Sequence, residues 1–252
     1  MPPPRFAANL DWLYGEHAYL DRPAAARADG FAAVELQQPQ LHDLGALKAS
    51  LADLRVVLIN APAGDWAAGE RGFAALSGRE AEFRDATLHG LDLAHRLGAA
   101  RVHLLSGQAE DTPQTRATWL ANLRWAAEQS ALPVVVEPIN RRDMPGYFLH
   151  RQAQALELLA ALNMPRVQLQ LDLYHCRVAE GESMTHLARA LHLGLLGHVQ
   201  VAGVDGRHEP AAGEYTDEFA LLEELGWPGS VGLEYRPSAD TSAGLAWLTD
   251  RP

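Results

Sequence analysis

Four oxygen-bearing side chains stand late in four successive apolar runs of this 252-residue chain: Glu137 in "VVVE", Asp172 in "VQLQLD", Gln200 in "HVQ" and Glu234 in "VGLE". The intervals between them are 35, 28 and 34 residues. Each interval is close to the ~31 residues of one strand–helix unit when the length is divided by eight. Any one of these residues alone reads as a solvated carboxylate or amide at a strand end. One per strand at unit spacing reads as a set. Three carboxylates brought together in apolar surroundings repel and are poorly solvated, and they need compensation. A divalent cation is the simplest form of it. Carboxylate and amide oxygens are hard donors, so the set suits Mg²⁺ or Mn²⁺ rather than zinc. Gln200 would add an oxygen ligand without a fourth negative charge.

The elements that must position these groups alternate from end to end. Candidate strands are "RFAANL" (5–10), "AAVELQ" (32–37), "RVVLINAP" (55–62), "RVHLLSG" (101–107), "PVVVEPIN" (133–140), "RVQLQLDL" (166–173), "GHVQVAG" (197–203) and "SVGLEYR" (230–236). Amphipathic stretches such as "EFRDATLHGLDLAHRLG" and "RATWLANLRWAAEQS" lie between them, with Trp119, Leu123 and Ala126 at helical spacing. Gly30, Gly98 and Gly226 mark helix ends. Strands that alternate with helices pair in parallel, because a crossover must return the chain. Eight such units predict a (β/α)8 barrel, in which the C-terminal strand ends form the active face. The competing doubly wound sheet lacks its glycine-rich turn, since the first strand runs into "NLDWLYGEH". With no linker or composition break, residues 1–252 read as a single barrel domain. The stretch 62–80 follows the third strand and is expected to lie over the barrel mouth.

Bulk properties narrow the chemistry. A formal charge of −11 argues against a nucleic-acid partner. No apolar run approaches the ~18 residues of a membrane span, and "MPPPRF" lacks a signal-peptide core. The one cysteine, Cys176, forms no internal disulfide and fits a cytoplasmic location. Lysine occurs once, as Lys48 in an exposed helical pattern, so Schiff-base chemistry is set aside. A homo-oligomer is compatible with the sequence.

The chain resembles the hydroxypyruvate isomerase family, within the wider xylose isomerase-like barrels. The matching stretches are "NAPAGDWAAGERG" (60–72), "EPINRRDMPGYFL" (137–149), "QLDLYH" (170–175), "HVQVAGVDGRHEP" (198–210) and "VGLEYRP" (231–237). They span nearly the whole chain. Related ketose 3-epimerases usually carry histidine where Gln200 stands, so Gln200 favours the isomerase branch. One departure is visible. The family follows "RHEP" with Gly-Glu-Ile-Asn-Tyr, where this chain has "GEYTDEF". The resemblance implies that His175, three residues past Asp172, contacts substrate or backs a ligand.

The remaining candidates follow from position. Arg207 and His208, on the loop after the seventh strand, are placed to meet an anionic substrate, and arginine can grip a carboxylate with paired hydrogen bonds. Arg142 is a second clamp candidate. Glu209 is expected to orient Arg207 or His208. Trp66 and Arg71 could form a lid. His103 either points into the barrel or packs in the core, and Cys176 reads as inert packing. No glycine-rich phosphate loop follows strand seven or eight, which points to a small non-phosphorylated acid. The expected reaction is the isomerisation of a 2-oxo-3-hydroxy acid, hydroxypyruvate to and from 2-hydroxy-3-oxopropanoate, with Glu137 and Glu234 moving the proton. A 2-oxo-tetronate isomerase and a 3-epimerase are the alternatives. A barrel DNA-repair endonuclease or a non-catalytic acid-binding barrel would be a different class.

Overall fold

The computed structural model describes residues 5–248. The opening residues 1–4, part of the segment read above as lacking a signal-peptide core, and residues 249–252 lie outside that range. Eight strands close into a parallel barrel in chain order. They are β1 (Arg5–Asn9), β2 (Ala33–Leu36), β3 (Arg55–Asn60), β4 (Val102–His103), β5 (Val134–Val136), β6 (Val167–Asp172), β7 (Leu196–Val201) and β8 (Ser230–Leu233). Closure comes from β1 pairing with β8, with Ala8 opposite Leu233. The helices are α1 (Arg22–Ala28), α2 (Leu44–Leu51), α3 (Glu80–Leu97), α4 (Pro113–Gln129), α5 (Gln152–Leu162), α6 (Leu173–Glu180), α7 (Met184–His192), α8 (Thr216–Glu224) and α9 (Thr241–Gly244). All eight expected strands are present, each shorter than its apolar run.

The helices pack their apolar stripes on the outer face of the barrel. In α4, Trp119, Leu123 and Ala126 are all buried, and Thr112 starts that helix with a reciprocal capping box. Gly98 ends α3 in the left-handed conformation, with φ of 70°. The large apolar core is therefore an annulus between strands and helices. Inside the barrel a second, small cluster of Ala7, Ala33 and Val57 forms the floor. Asn9 and Glu35 stand two residues further along the same strand faces, nearer the C-terminal end.

Beyond Leu104, whose N still reaches Val135 O (3.0 Å), the chain leaves the barrel ladder for a physical reason. Leu105 accepts from Phe73 N (3.2 Å), and Ser106 accepts from Ala75 N (2.8 Å). Gly72 and Ser106 form an antiparallel bridge. The strap 62–80 is thus fastened to the exit of β4, at the barrel mouth. Gly72 is required there: its φ is +96°, and a Cβ would lie 2.3 Å from the Leu105 carbonyl oxygen.

Candidate active site

The C-terminal strand ends bring Glu137, Asp172, Gln200 and Glu234 together inside the barrel. They are 4%, 0%, 0% and 6% exposed. Glu137 follows the last residue of β5. Its Oε2 accepts from Gln170 Nε2 (3.0 Å), and its Oε1 is buried with no hydrogen-bond partner among the described residues. Asp172 closes β6 and caps α6, accepting from Tyr174 N through Oδ1 (2.8 Å). Its Oδ2 also has no hydrogen-bond partner. Glu234 follows β8 and takes Arg207 Nη2 on Oε1 (2.6 Å). Gln200 donates from Nε2 to Glu234 Oε2 (2.7 Å), and its own Oε1 accepts from Gln170 Nε2 (2.6 Å). That carbonyl oxygen has a second lone pair left over.

Burial dominates the electrostatics. It pushes the Glu137 carboxyl well above its ordinary range, with the Glu234 and Asp172 charges adding to the effect. Burial likewise raises Glu234 to about 8 and Asp172 to about 6, while the nearby Arg207 guanidinium opposes both shifts. Burial works against the charge on Arg207. The carboxylates of Glu234, Asp172 and Glu137 outweigh it and hold the guanidinium protonated.

Arg207 enters the site from the loop after β7 with a left-handed backbone, φ 57°. The loop doubles back tightly, since Arg207 N reaches Gly203 O (3.1 Å) and Gly203 N reaches His208 O (2.8 Å). The guanidinium lies over the rings of Trp12 (4.5 Å) and Tyr174 (5.0 Å). Its Nη2 is 3.6 Å from Asp172 Oδ2. Its Nε is buried and has no hydrogen-bond partner.

His175 Nε2 lies 3.8 Å from both unpartnered oxygens, Glu137 Oε1 and Asp172 Oδ2. The three groups are close enough together to hold a cation. Hydrogen bonding gives the imidazole a more specific role. Asn140 Oδ1 accepts from Asp143 N (2.9 Å), which fixes its NH₂ toward His175 Nδ1 (2.6 Å). Nδ1 must then accept, so the hydrogen sits on Nε2 and points at the oxygens. Burial, followed by the Arg207 charge, holds this imidazole neutral.

Other expected residues lie further out. Arg142 is exposed at the rim, donating to the Tyr174 hydroxyl (3.0 Å) and to Asp143. His208 faces the Arg236 carbonyl through Nδ1 (2.8 Å) rather than the carboxylates. Glu209 accepts from Ser238 N (3.0 Å) and Ser238 Oγ (2.7 Å), so it ties two loops together and does not orient Arg207 or His208. Trp66 and Arg71 stack on each other in the strap (4.1 Å). His103 does face the barrel interior, 3.8 Å from Glu137 Oε2. Cys176 Sγ is buried against Glu182 O.

Several buried polar residues escaped the sequence reading: Asn9, Glu35, Gln170 and His198. Glu35 was the most detectable. It stands late in "AAVELQ", as Glu137 does in "PVVVEPIN".

The family model for the xylose isomerase-like TIM barrel matches residues 23–251. A 2-oxo-tetronate isomerase from Cupriavidus necator is 48% identical, covering 97% of this chain and 97% of its own. The chain belongs to the hydroxypyruvate isomerase family of xylose isomerase-like TIM barrels. The hydroxypyruvate isomerase of Escherichia coli is 39% identical over 97% of this chain and 98% of its own. A crystal structure from Brucella melitensis, described as an AP endonuclease of family 2, superposes with a TM-score of 0.92 at 43% identity, covering 98% of each chain. A D-allulose 3-epimerase from Methylomonas, at 19% identity and a TM-score of 0.72 over 97% of this chain and 88% of its own, shares the fold. Like its isomerase relatives in the family, the protein is an enzyme of the isomerase class.

Proposed function

We propose that this isomerase interconverts small 2-oxo-3-hydroxy acids, in the manner of hydroxypyruvate and 2-hydroxy-3-oxopropanoate. One observation carries the reading: two buried carboxyl groups with raised pKa, Glu137 and Glu234, share a site with a guanidinium that has an unspent buried donor. A carboxylate tuned toward neutrality is suited to taking and returning a proton at carbon. One of the pair removes a proton from the hydroxyl-bearing carbon, the other delivers a proton to its neighbour, and the hydroxyl proton passes to the former carbonyl oxygen. Arg207 keeps Glu234 on Nη2 and offers its Nε to the substrate carboxylate, which holds the reacting carbons in register. His175 Nε2–H donates to a substrate oxygen. His208 and Arg142, at the rim, meet the acid as it enters.

The residues fit a divalent cation, Mg²⁺ or Mn²⁺. Glu137 Oε1 and Asp172 Oδ2 are buried acceptors with no hydrogen-bond partner, and the donor set is all oxygen. Glu137, Asp172, Gln200 and Glu234 would hold the ion. Bound there, it supplies positive charge that offsets the negative charge developing on substrate oxygens.

A four-carbon 2-oxo-tetronate is the alternative substrate, in keeping with the 48% identical relative of that name. A DNA substrate fits poorly with a net charge of −11. A single, buried cysteine is compatible with a cytoplasmic location.

The test is isomerase turnover of hydroxypyruvate and 2-oxo-tetronate, before and after chelation and with Mg²⁺ or Mn²⁺ added back. An abasic DNA duplex is the control. Turnover that is lost to chelator and restored by the ion is expected. Absence of turnover on both acids with either ion overturns the reading.

A further inference from the structure

Below the site sits a fourth carboxylate. Glu35, on β2, is 1% exposed and is met by three side-chain groups. Its Oε2 accepts from Gln200 Nε2 (2.8 Å) and Asn9 Nδ2 (3.1 Å), and its Oε1 contacts His198 Nε2. The two amides that hold Glu35 Oε2 also hold Glu234 Oε2, at 2.7 Å from Gln200 and 3.3 Å from Asn9. Each NH₂ group has two hydrogens, and each spends one on Glu35 and one on Glu234. An amide bound in this way resists turning over, because its carbonyl oxygen would then face two carboxylates. The other end of the Gln200 amide is thereby kept toward Gln170, whose nitrogen also reaches Glu137 Oε2.

The barrel makes room for this arrangement at one position. Gly232 pairs with Gln200 across the sheet. A Cβ at Gly232 would lie 1.9 Å from Glu35 Oε1 and 2.5 Å from its carboxyl carbon. The volume that a side chain on β8 would occupy is filled by the Glu35 carboxyl. A buried carboxyl reaching past its own strand into space vacated by a neighbour is built for a contact beyond mere burial.

We propose that Glu35 is a positioning residue of the isomerase site. Through the paired amides of Gln200 and Asn9 it fixes which end of Gln200 is oxygen and which way the Glu234 carboxylate faces. The inference rests on the proposed isomerisation for its kinetic arm and on geometry alone for its structural arm.

Glu35→Gln and Glu35→Leu separate the possibilities. In Glu35→Gln the new oxygen can accept from both amides, while the new NH₂ turns to His198. The Nδ1 of His198 is unpartnered and can carry the ring hydrogen instead. The bridge survives, and kcat is expected within about threefold of the parent. Glu35→Leu removes the bridge, and kcat should fall by about tenfold or more with KM nearly unchanged, since misaligned reacting groups cost rate. Equal losses in both variants, or a parent-like kcat in Glu35→Leu, overturn the proposal. Crystal structures of the same variants with Mn²⁺ decide it without turnover. Glu234 and Gln200 should move in Glu35→Leu and stay in Glu35→Gln, and unmoved side chains in Glu35→Leu overturn it. If the parent turns over neither acid, the isomerase reading fails and this structural arm still decides the role of Glu35. If Glu35→Leu does not fold, Gly232→Ala displaces the same carboxyl, and an unmoved Glu234 in its crystal structure is the overturning result.

Discussion

Truncating Arg207 to alanine removes two things that an assay can separate. The first is the clamp on substrate. The guanidinium is largely buried, fixed over Trp12 and Tyr174, and carries an unspent Nε donor. A charge-assisted hydrogen bond made in such surroundings is worth about 1.5–3 kcal/mol, or roughly one to two decades in kcat/KM. The second is the support of Glu234, which Arg207 holds at 2.6 Å and whose pKa it restrains. Without that cation the carboxyl rises above about 8, and less of it is ionised at neutral pH. This second loss falls equally on any substrate. The first falls on an acid alone. Measuring kcat/KM for hydroxypyruvate and for dihydroxyacetone, its neutral counterpart, therefore isolates the clamp. The acid is expected to lose about ten- to a hundredfold more than the neutral analogue. Arg207→Lys should recover only part of the difference, because an ammonium cannot present a planar fork. Equal losses on both compounds would refute the clamp and transfer the role to Arg142.

Three further outcomes follow from the same geometry. Glu137→Gln or Glu234→Gln should lower kcat by about two to four decades while the fold persists; a near-native rate in either would remove that carboxylate from the proton path. Gln200→Leu should weaken Mn²⁺ binding by titration, whereas Gln200→Glu should keep or tighten it and lose turnover of the acid by charge repulsion; a Gln200→Leu protein that binds and turns over like the parent would show that Gln200 is no ligand. In chelator, stability should fall as pH rises. The folded carboxyls of Glu234 and Asp172 hold their protons more tightly than the unfolded chain does, so their contribution is full below about 4 and is lost through about 6 for Asp172 and about 8 for Glu234. Added Mg²⁺ should raise the melting temperature most at the alkaline end, and a melting temperature that climbs from pH 5 to 9 in chelator would contradict the raised values.

The fold was legible because every strand is bounded by helical pattern and turn residues, and strand count with chain length leaves few closed solutions. The strand ends were not. "RVHLLSG" reads as one run, yet Leu105 and Ser106 bond to the strap rather than to the barrel, and no local pattern distinguishes those two partners. At the site, one marked residue per strand found the four central groups. It missed Gln170 and His198 although each stands two residues before a marked group, Asp172 or Gln200, and so shares its face, and it missed Asn9 and Glu35 because each is an isolated polar side chain in a short run with no second mark beside it. Arg207 could be placed on its loop by sequence. Its anchoring on Trp12, nearly two hundred residues earlier in the chain, becomes visible when β1 and β8 close the barrel.

The division of the interior into an apolar annulus and a largely hydrophilic bore has a consequence for how such a chain can change. Cohesion resides between strands and helices, and within the bore the floor of Ala7, Ala33 and Val57 is a small apolar contact. Substitutions that re-equip the bore therefore draw on a separate account from those that hold the molecule together. A lineage can exchange donors and acceptors there in several steps without passing through an unfolded intermediate. Laboratory evolution aimed at new substrates should accordingly start from libraries confined to inward positions near the strand exits, with Gly232 and the annulus held constant.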